Sequence, residues 1–280
     1  MKNTKIYSVL KLFYQIIIGP ISNNFSKKNP LLILTPAKTG STSVYKSLKK
    51  IKHKSIFKLH FVSKIGFDKY RLFINKNISH KTRPHIIISR ILLRKMKHYN
   101  DNIFIIVTIR NPIDQRISSI FQSWQNHNIK LFTTENHSEY HRTMEFVYKS
   151  ICDDNPSSSL EKWFKNEIET PFKIDVFSEQ YSEELGYTIY KKGRVTLLLM
   201  KMETMNTVFE KAMKDFLSTN EKHSLLIHNV GEDKIYKESY KLIKTNIKIE
   251  KTIIDEIVNS KYFTHFYSNQ KEQMYQKWSK

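Results

Sequence analysis

The run Ile-Phe-Ile-Ile-Val-Thr-Ile, from Ile103 to Ile109, constrains the fold of this chain more than any other feature. Its residues are apolar or β-branched, and turn-forming residues bound it on both sides, Asn-Asp-Asn before it and Arg-Asn-Pro after it. Continuous apolar runs of this length are typical of strands that are buried on both faces in parallel sheets covered by helices. The run therefore predicts a parallel strand inside a layered α/β protein.

Strand-like and helix-like segments alternate along the rest of the chain. The other predicted strands are Leu31–Leu34, Ser55–Phe61, Tyr187–Tyr190 and Val195–Lys201. Predicted helices are Ser43–Lys50, Pro84–His98, one starting at Pro112, Ser138–Asn166 with a break at 153–159, Glu203–Leu217, Glu232–Lys244, Ile249–Val258 and Asn269–Trp278. This alternation predicts an α/β fold, with a P-loop-like central parallel sheet flanked by helices and helical C-terminal additions. We expect one domain, made of an N-terminal amphipathic segment (1–29), an α/β core (30–220) and a helical C-terminal part (221–280).

The chain is strongly basic, with 47 Lys and Arg residues against 26 Asp and Glu residues and a net charge of +21. Partners that carry negative charge are therefore expected. Nucleic acid is not the expected partner, because the positive charge is spread over the whole length without a zinc-finger spacing, an RNA-binding signature or a basic tail. The lysine excess has two interpretations, a groove for an anionic ligand or a solvated surface. A single cysteine, Cys152, agrees with a reducing compartment, and we expect a cytoplasmic protein.

The N-terminal segment contains an apolar run, Leu12–Ile18, closed by Gly19-Pro20. It is shorter than the roughly 20 apolar residues that span a bilayer. We expect an amphipathic helix that packs on the domain, and residues 5–21 are also a candidate for peripheral membrane contact.

A polar loop, Thr35-Pro-Ala-Lys-Thr-Gly-Ser-Thr-Ser43, follows the first predicted strand and leads into a helix. Backbone N–H groups at such a helix start, together with the macrodipole, favour the binding of anions. The loop differs from the nucleotide-kinase motif, in which the lysine directly follows the last glycine, because Lys38 precedes Gly40 by two residues. The alternative is that Ser41 or Ser43 only caps the helix.

A second polar loop follows the central strand. Arg110 stands at the carboxyl end of that strand, and Ser118 lies eight residues later in the next predicted helix. Ligands of parallel sheets bind outside the carboxyl ends of the strands, and the arginine guanidinium is suited to phosphate. The alternative is that Arg110 is a surface residue paired with Asp114. Together, the two loops predict an anion-binding site at the carboxyl ends of the strands.

These two motifs resemble those of the sulfotransferases that use 3′-phosphoadenosine 5′-phosphosulfate (PAPS). Thr35–Ser43 is similar to the loop that binds the 5′-phosphosulfate, and Arg110–Ser118 is similar to the 3′-phosphate site. Later stretches resemble bacterial capsular polysaccharide synthesis proteins, which have sulfotransferase-like sequences. The stretches are Trp163-Phe164 with Glu167, Asp175-Val176, Leu197–Leu199 with Glu203, Asn229–Tyr236, and His265–Ser268 with Trp278.

The resemblance implies an enzyme that transfers the sulfuryl group of PAPS to a hydroxyl of a carbohydrate, with adenosine 3′,5′-bisphosphate (PAP) as the product and no metal. Lys38 would meet the charge on the leaving oxygen, and Arg110 and Ser118 would hold the 3′-phosphate. Lys234 would close over the cofactor from a basic C-terminal segment. The implied cofactor-binding residues are Lys38, Thr39, Gly40, Ser41, Thr42, Ser43, Arg110, Ser118 and Lys234.

The base that takes the hydroxyl proton is expected to be His60, which ends the second predicted strand beside both loops. An imidazole suits proton acceptance near neutral pH. His85 and Glu167 are the alternatives. Two other functions remain open, a P-loop kinase-like phosphoryl-transferase and a non-enzymatic module that binds nucleic acid or an anionic membrane.

Overall fold

A computed structural model describes residues 29–49, 51, 55–68, 99–133, 137–227 and 234–280. The strands are β1 (Pro30–Leu34), β2 (Ser55–Leu59), β3 (Ile103–Ile109), β4 (Tyr187–Lys192) and β5 (Val195–Lys201). The helices are α1 (Ser41–Leu48), α2 (Pro112–Gln122), α3 (His137–Cys152), α4 (Pro156–Phe164), α5 (Met205–Leu217), α6 (Lys237–Asn246), α7 (Lys251–Val258), α8 (Lys261–Phe266) and α9 (Lys271–Trp278). A π-helical turn, Lys165–Glu169, and a short helical stretch, Thr170–Phe172, extend α4.

The strands form one sheet in the order β2-β1-β3-β5-β4. β1 pairs in parallel with β2 and with β3, and β3 pairs in parallel with β5. β4 forms an antiparallel hairpin with β5 at the edge. The α/β fold with a mostly parallel sheet is thus confirmed.

The strand order creates a switch point between β1 and β3. From β1 the chain goes to β2 on one side, and it then passes β1 again to reach β3 on the other side. The carboxyl ends of β2, β1 and β3 therefore lie side by side. In open α/β sheets this is where ligands bind.

Alternating side chains of β1 divide the core into two layers. Leu31 and Ile33 pack with Val44 and Leu48 of α1 and with residues of α5. Leu32 and Leu34 face the other layer, which contains α2 to α4 and the C-terminal helices. The helices that follow β1 and β3 therefore cover opposite faces of the sheet, as a switch point requires.

The structure corrects several predicted boundaries. β2 ends at Leu59 rather than Phe61, and α5 begins at Met205 rather than Glu203 because residues 202–204 form a turn. α6 begins at Lys237, and α8 was not predicted. Four aromatic residues of this region are fully buried in the core, namely Tyr262, Phe263, Phe266 and Tyr267.

Two predicted elements, the helix Pro84–His98 and the N-terminal segment 1–28 with its membrane contact at 5–21, lie outside the described residues. Within the described ranges, every helix is too short or too polar to cross a membrane.

Candidate functional site

A cleft of ≈ 1360 Å³ opens at the switch point. It is bordered by the loops that follow β1 and β3, by the end of β2 and by α6. The predicted site residues that line it are Lys38, Gly40, Ser41, Thr42, Ser43, His60, Arg110 and Ser118. The fold thus brings together residues from three strand ends that are up to 80 positions apart in the sequence.

The loop after β1 turns sharply through two left-handed residues, Lys38 with φ 68° and Gly40 with φ 88°. Glycine adopts this conformation without strain, whereas a lysine does so at a cost. Gly40 is the N-cap residue of α1, so the alternative prediction that Ser41 or Ser43 caps the helix is wrong. Ser41 instead begins the helix, and its first turn borders the cleft.

Hydrogen bonds tie the β1 loop to β3 and α2. The Thr39 hydroxyl donates to Pro36 O at 2.9 Å and accepts from the Thr108 hydroxyl at 3.0 Å. Gln115 Nε2 of α2 donates to Ala37 O at 2.7 Å. Thr39 is therefore fully buried beneath the loop, and it is the one residue of the predicted set from Lys38 to Ser43 that does not line the cleft. Gln115 was not predicted, and nothing in its sequence context distinguishes it from a surface glutamine.

Arg110 connects the two loops directly. Its Nη1 donates to Lys38 O at 3.2 Å, and its Nη2 donates to the Tyr240 hydroxyl at 3.5 Å. Its own carbonyl accepts from the Tyr262 hydroxyl at 2.9 Å. The guanidinium is therefore held at the cleft by two parts of the chain, and the Arg110 backbone is held by a third.

Asp114 is not the partner of Arg110, so that alternative is wrong. Its carboxylate pairs with Lys244 at 2.6 Å and with Lys277 at 2.9 Å, which joins α2 to α6 and α9. Burial alone would raise the pKa of Asp114, but the two lysines outweigh burial and hold the pKa below its ordinary value.

Positive charge is concentrated in the cleft. The Lys and Arg residues that line it are Lys38, Lys58, Arg110, Arg116, Lys237, Lys241 and Lys244. Among the described lining residues, Asp154 is the single acid. At this site the lysine excess therefore forms a cationic groove rather than an evenly solvated surface. Lys237, Lys241 and Lys244 share one face of α6, and their i, i+4, i+7 spacing is a signal that could have identified them.

The electrostatic effect is strongest at Lys38. Burial, and then the charges of Arg110, Lys234 and Lys58, lower the pKa of Lys38 from 10.5 to about 8. Lys58 lies next to it and donates through Nζ to Thr42 Oγ1 at 2.6 Å. Burial also lowers the pKa of Lys58. Crowded cations of this kind are stabilised by a bound anion.

His60 lies one residue beyond β2, on the cleft wall. Its Nδ1 is 2.9 Å from Thr35 O. A carbonyl oxygen only accepts, so Nδ1 carries the hydrogen and Nε2 carries the lone pair in the neutral ring. The backbone carbonyl of His60 accepts from Trp163 Nε1 at 2.8 Å.

The alternative bases differ in their positions. The Glu167 carboxylate accepts hydrogen bonds from Val62 N, Ser63 N and the Ser63 hydroxyl at 2.6 to 2.8 Å, so it anchors the segment after β2. His85 lies outside the described residues.

Lys234 does not line the cleft, but its positive charge contributes to the lowered pKa of Lys38. Tyr236, two residues further on, is a lining residue.

Glu203 is a further residue that sequence reasoning did not assign to the site. It follows β5, and its carboxylate accepts from Asn111 N at 2.7 Å and from the Tyr267 hydroxyl at 3.2 Å. Glu203 thus holds the backbone of Asn111, the residue after Arg110, in place. The residues of the described ranges contain no cluster of His, Cys, Asp and Glu that would hold a metal ion.

Comparison with known proteins relates part of the chain to a protein family. No curated protein and no solved structure matches the chain. Residues 136–268, just under half of the chain, match the model of the NKWYS family, described as "Putative capsular polysaccharide synthesis protein". The match spans α3 to α8 and leaves out the loops that carry Lys38 and Arg110. The second half of the chain is therefore similar to a family associated with capsular polysaccharide.

Proposed function

We propose that this protein is a sulfotransferase that moves the sulfuryl group of PAPS to a hydroxyl of a carbohydrate, in the assembly of a capsular or surface polysaccharide. One observation carries the proposal: Lys38 and Arg110, from loops after neighbouring parallel strands, are hydrogen-bonded to each other and line the same cationic cleft. The family match of residues 136–268 supports a polysaccharide as the acceptor.

The β1 loop would act as a P-loop-like cradle for the 5′-phosphosulfate. Its two left-handed residues turn the backbone, and the first turn of α1 presents Ser41 and Thr42 to the cleft. Anions are favoured at such a helix start. Arg110 and Ser118, from the neighbouring loop and α2, would hold the 3′-phosphate. This contact would distinguish PAPS from nucleotides without that phosphate.

In the proposed reaction the acceptor oxygen forms a bond to sulfur while the bond from sulfur to the bridging oxygen breaks. The electron pair and negative charge move to that oxygen, which stays with PAP. The Lys38 ammonium would donate a hydrogen bond to it, and a group of this kind typically contributes about 10²- to 10³-fold in rate. His60 Nε2 would take the acceptor proton, since the Nδ1–H is directed to the Thr35 carbonyl.

A kinase-like phosphoryl-transferase has less support. Such enzymes hold Mg²⁺ with an acidic residue near the phosphates. The acid that follows β5, Glu203, instead accepts hydrogen bonds from Asn111 and Tyr267.

The test is a calorimetric comparison of PAP with ADP. We expect PAP to bind at least about tenfold more tightly, because only PAP places a phosphate at Arg110. Transfer of ³⁵S from labelled PAPS to capsular polysaccharide tests the reaction itself. His60→Ala should lower turnover while PAP affinity is kept. Equal affinity for ADP, or turnover that requires ATP and Mg²⁺, would show that the proposal is wrong.

A further inference from the structure

A second cavity of ≈ 400 Å³ opens beside the cationic cleft, and we call it the side pocket. Its lining residues are His60, Phe61, Ile65, Gly66, Asp154, Ser159, Lys162, Trp163, Asn166 and Glu167. The two cavities share a wall that includes the imidazole, and the residues that line both are His60, Phe61, Asp154, Ser159 and Trp163. Its volume falls in the range of about 300–1,000 Å³ that is usual for small-ligand sites.

The walls of the side pocket are held in place. Glu167, which is 2% exposed, binds the segment after β2 through Val62 and Ser63. Gly66 lies so close to this carboxylate that a Cβ there would be 2.6 Å from Glu167 Oε1 and 2.5 Å from Phe61 Cβ. A side chain at this position would displace the wall. The pocket is therefore preformed rather than a gap between loose loops.

The side pocket is lined by aromatic side chains, including Trp163, and by polar groups. Trp163 is half-buried, and its indole is fixed by the hydrogen bond from Nε1 to His60 O and by an edge-on contact with Phe164 at 5.2 Å between centroids. The π-helical turn Lys165–Glu169 begins two residues later and carries Asn166 and Glu167 at the wall. Such turns are rare and are frequently found at functional sites. An aromatic face suits the C–H face of a sugar ring, and an amide suits its hydroxyls.

The charge of the side pocket differs from that of the cleft. Its charged lining residues are one lysine, Lys162, and two acids, Asp154 and Glu167. Asp154 is itself paired with Arg116 at 2.7 Å. A site without excess positive charge gives an anionic sugar no advantage over a neutral one, and the Glu167 carboxylate opposes an anionic sugar.

We propose that the side pocket binds an uncharged sugar ring of the acceptor, stacked on Trp163 and hydrogen-bonded by Asn166, with the reacting hydroxyl next to His60. This inference rests on the proposed function, because only the donor in the cleft makes His60 a reacting group. The acceptor unit is thus a neutral hexose or N-acetylhexosamine, and a uronic acid binds more weakly.

The experiment measures glycoside binding by saturation-transfer NMR without any donor. The probes are methyl glycosides of glucose, galactose, N-acetylglucosamine and N-acetylgalactosamine, with methyl glucuronide and methyl galacturonide as matched anionic sugars. We expect at least one neutral glycoside to bind, and its uronide counterpart to bind more weakly. Trp163→Leu should weaken binding about tenfold, and Asn166→Ala about fivefold. Trp124→Leu, which removes an indole outside both cavities, is the matched control and should keep wild-type affinity.

Asn166→Ala is the second test, because Trp163→Leu also removes the hydrogen bond to His60. The inference is wrong if no neutral glycoside binds, if a uronide binds as tightly as its neutral counterpart, or if both variants keep wild-type affinity. PAP titration separates the two proposals. PAP binding without glycoside binding refutes only this inference, whereas glycoside binding without PAP binding refutes the proposed function.

Discussion

Lys38→Met should make the protein more stable and at the same time weaken its binding of anions. In the unliganded protein the Lys38 ammonium is partly buried and lies near the charges of Arg110, Lys234 and Lys58, which together lower its pKa from 10.5 to about 8. Methionine is an unbranched side chain only one atom shorter than lysine, and it keeps the same backbone strain at φ 68° but removes the charge. The substitution therefore isolates the electrostatic cost of the lysine.

The magnitude follows from the fall in pKa. Each tenfold change in the protonation equilibrium corresponds to about 1.4 kcal/mol. The fall in the pKa of Lys38 therefore means that the folded protein disfavours the charged ammonium by about 3 kcal/mol. Because Lys38 is partly exposed, solvent screening reduces this to about 1–2 kcal/mol. In a domain of this size, that gain raises Tm by a few degrees, at roughly 2–4 °C per kcal/mol. The trade of stability for ligand binding is common at functional sites.

The pH dependence provides a second check. Below about pH 8, both the folded and the unfolded chain carry the Lys38 proton, so the variant keeps its full advantage. Between about pH 8 and pH 10 the folded wild-type protein releases this proton while the unfolded chain retains it, and the wild-type stability rises. The advantage of Lys38→Met should therefore shrink in this range.

The assay is urea unfolding and thermal unfolding near neutral and at alkaline pH, with and without PAP. Lys46→Met, which removes an exposed lysine of α1, is the control for a general loss of charge. PAP should raise the Tm of the wild-type protein more than that of Lys38→Met, because ligand stabilisation follows affinity. A lower Tm for Lys38→Met near neutral pH, or equal stabilisation by PAP, would refute this reasoning.

Three other substitutions test separate parts of the structure. Arg110→Lys keeps the charge but loses the planar fork, so PAP affinity measured by calorimetry should fall about tenfold, and an unchanged affinity would remove Arg110 from the phosphate site. Glu167→Ala should lower the free energy of unfolding by about 2–4 kcal/mol, because buried N–H groups lose their acceptor, whereas Glu167→Gln should lower it by about 1 kcal/mol. Equal losses of the two variants in urea unfolding would contradict the role of Glu167 as the acceptor of these hydrogen bonds. Asp114→Asn should cost about 2–3 kcal/mol above pH 4, since Lys244 and Lys277 hold the Asp114 pKa below its ordinary value. That difference should disappear as the pH falls through the lowered pKa of the aspartate, and a constant difference in pH-dependent unfolding would rule out the ion pairs as its cause.

The core strands could be predicted from the sequence because they are continuous apolar runs. Ile103–Ile109 and Val195–Lys201 have the bounds that their composition predicts, and α2 begins at Pro112 as expected. Helix boundaries were less accurate where tertiary contacts replace local signals. α5 starts two residues late because Glu203 is bonded to Asn111 rather than continuing the helix.

The site could be predicted only in part. Lys38, Arg110 and His60 each follow a predicted strand. Because ligands of parallel sheets bind at the carboxyl ends of the strands, this position along the sequence indicates that a residue lies at the binding edge of the sheet. Lys58 lies inside β2 and Gln115 inside α2, where each has the appearance of an ordinary surface residue. The contact of Lys58 with Thr42 depends on the pairing of β1 with β2, and the contact of Gln115 with Ala37 depends on the pairing of β1 with β3.

The amino-acid pattern by itself determined that strands of this chain would be buried in a layered α/β sheet and that two polar loops would follow two of them. Burial preference and backbone conformation are properties of short segments, so they can be read locally. Which strand ends meet, and therefore which cations share one cleft, depends on the order β2-β1-β3, and that order is an energetic outcome of packing the whole chain. The lowered pKa of Lys38 and the side pocket behind His60 arise from that packing, since each requires groups that are far apart in the sequence.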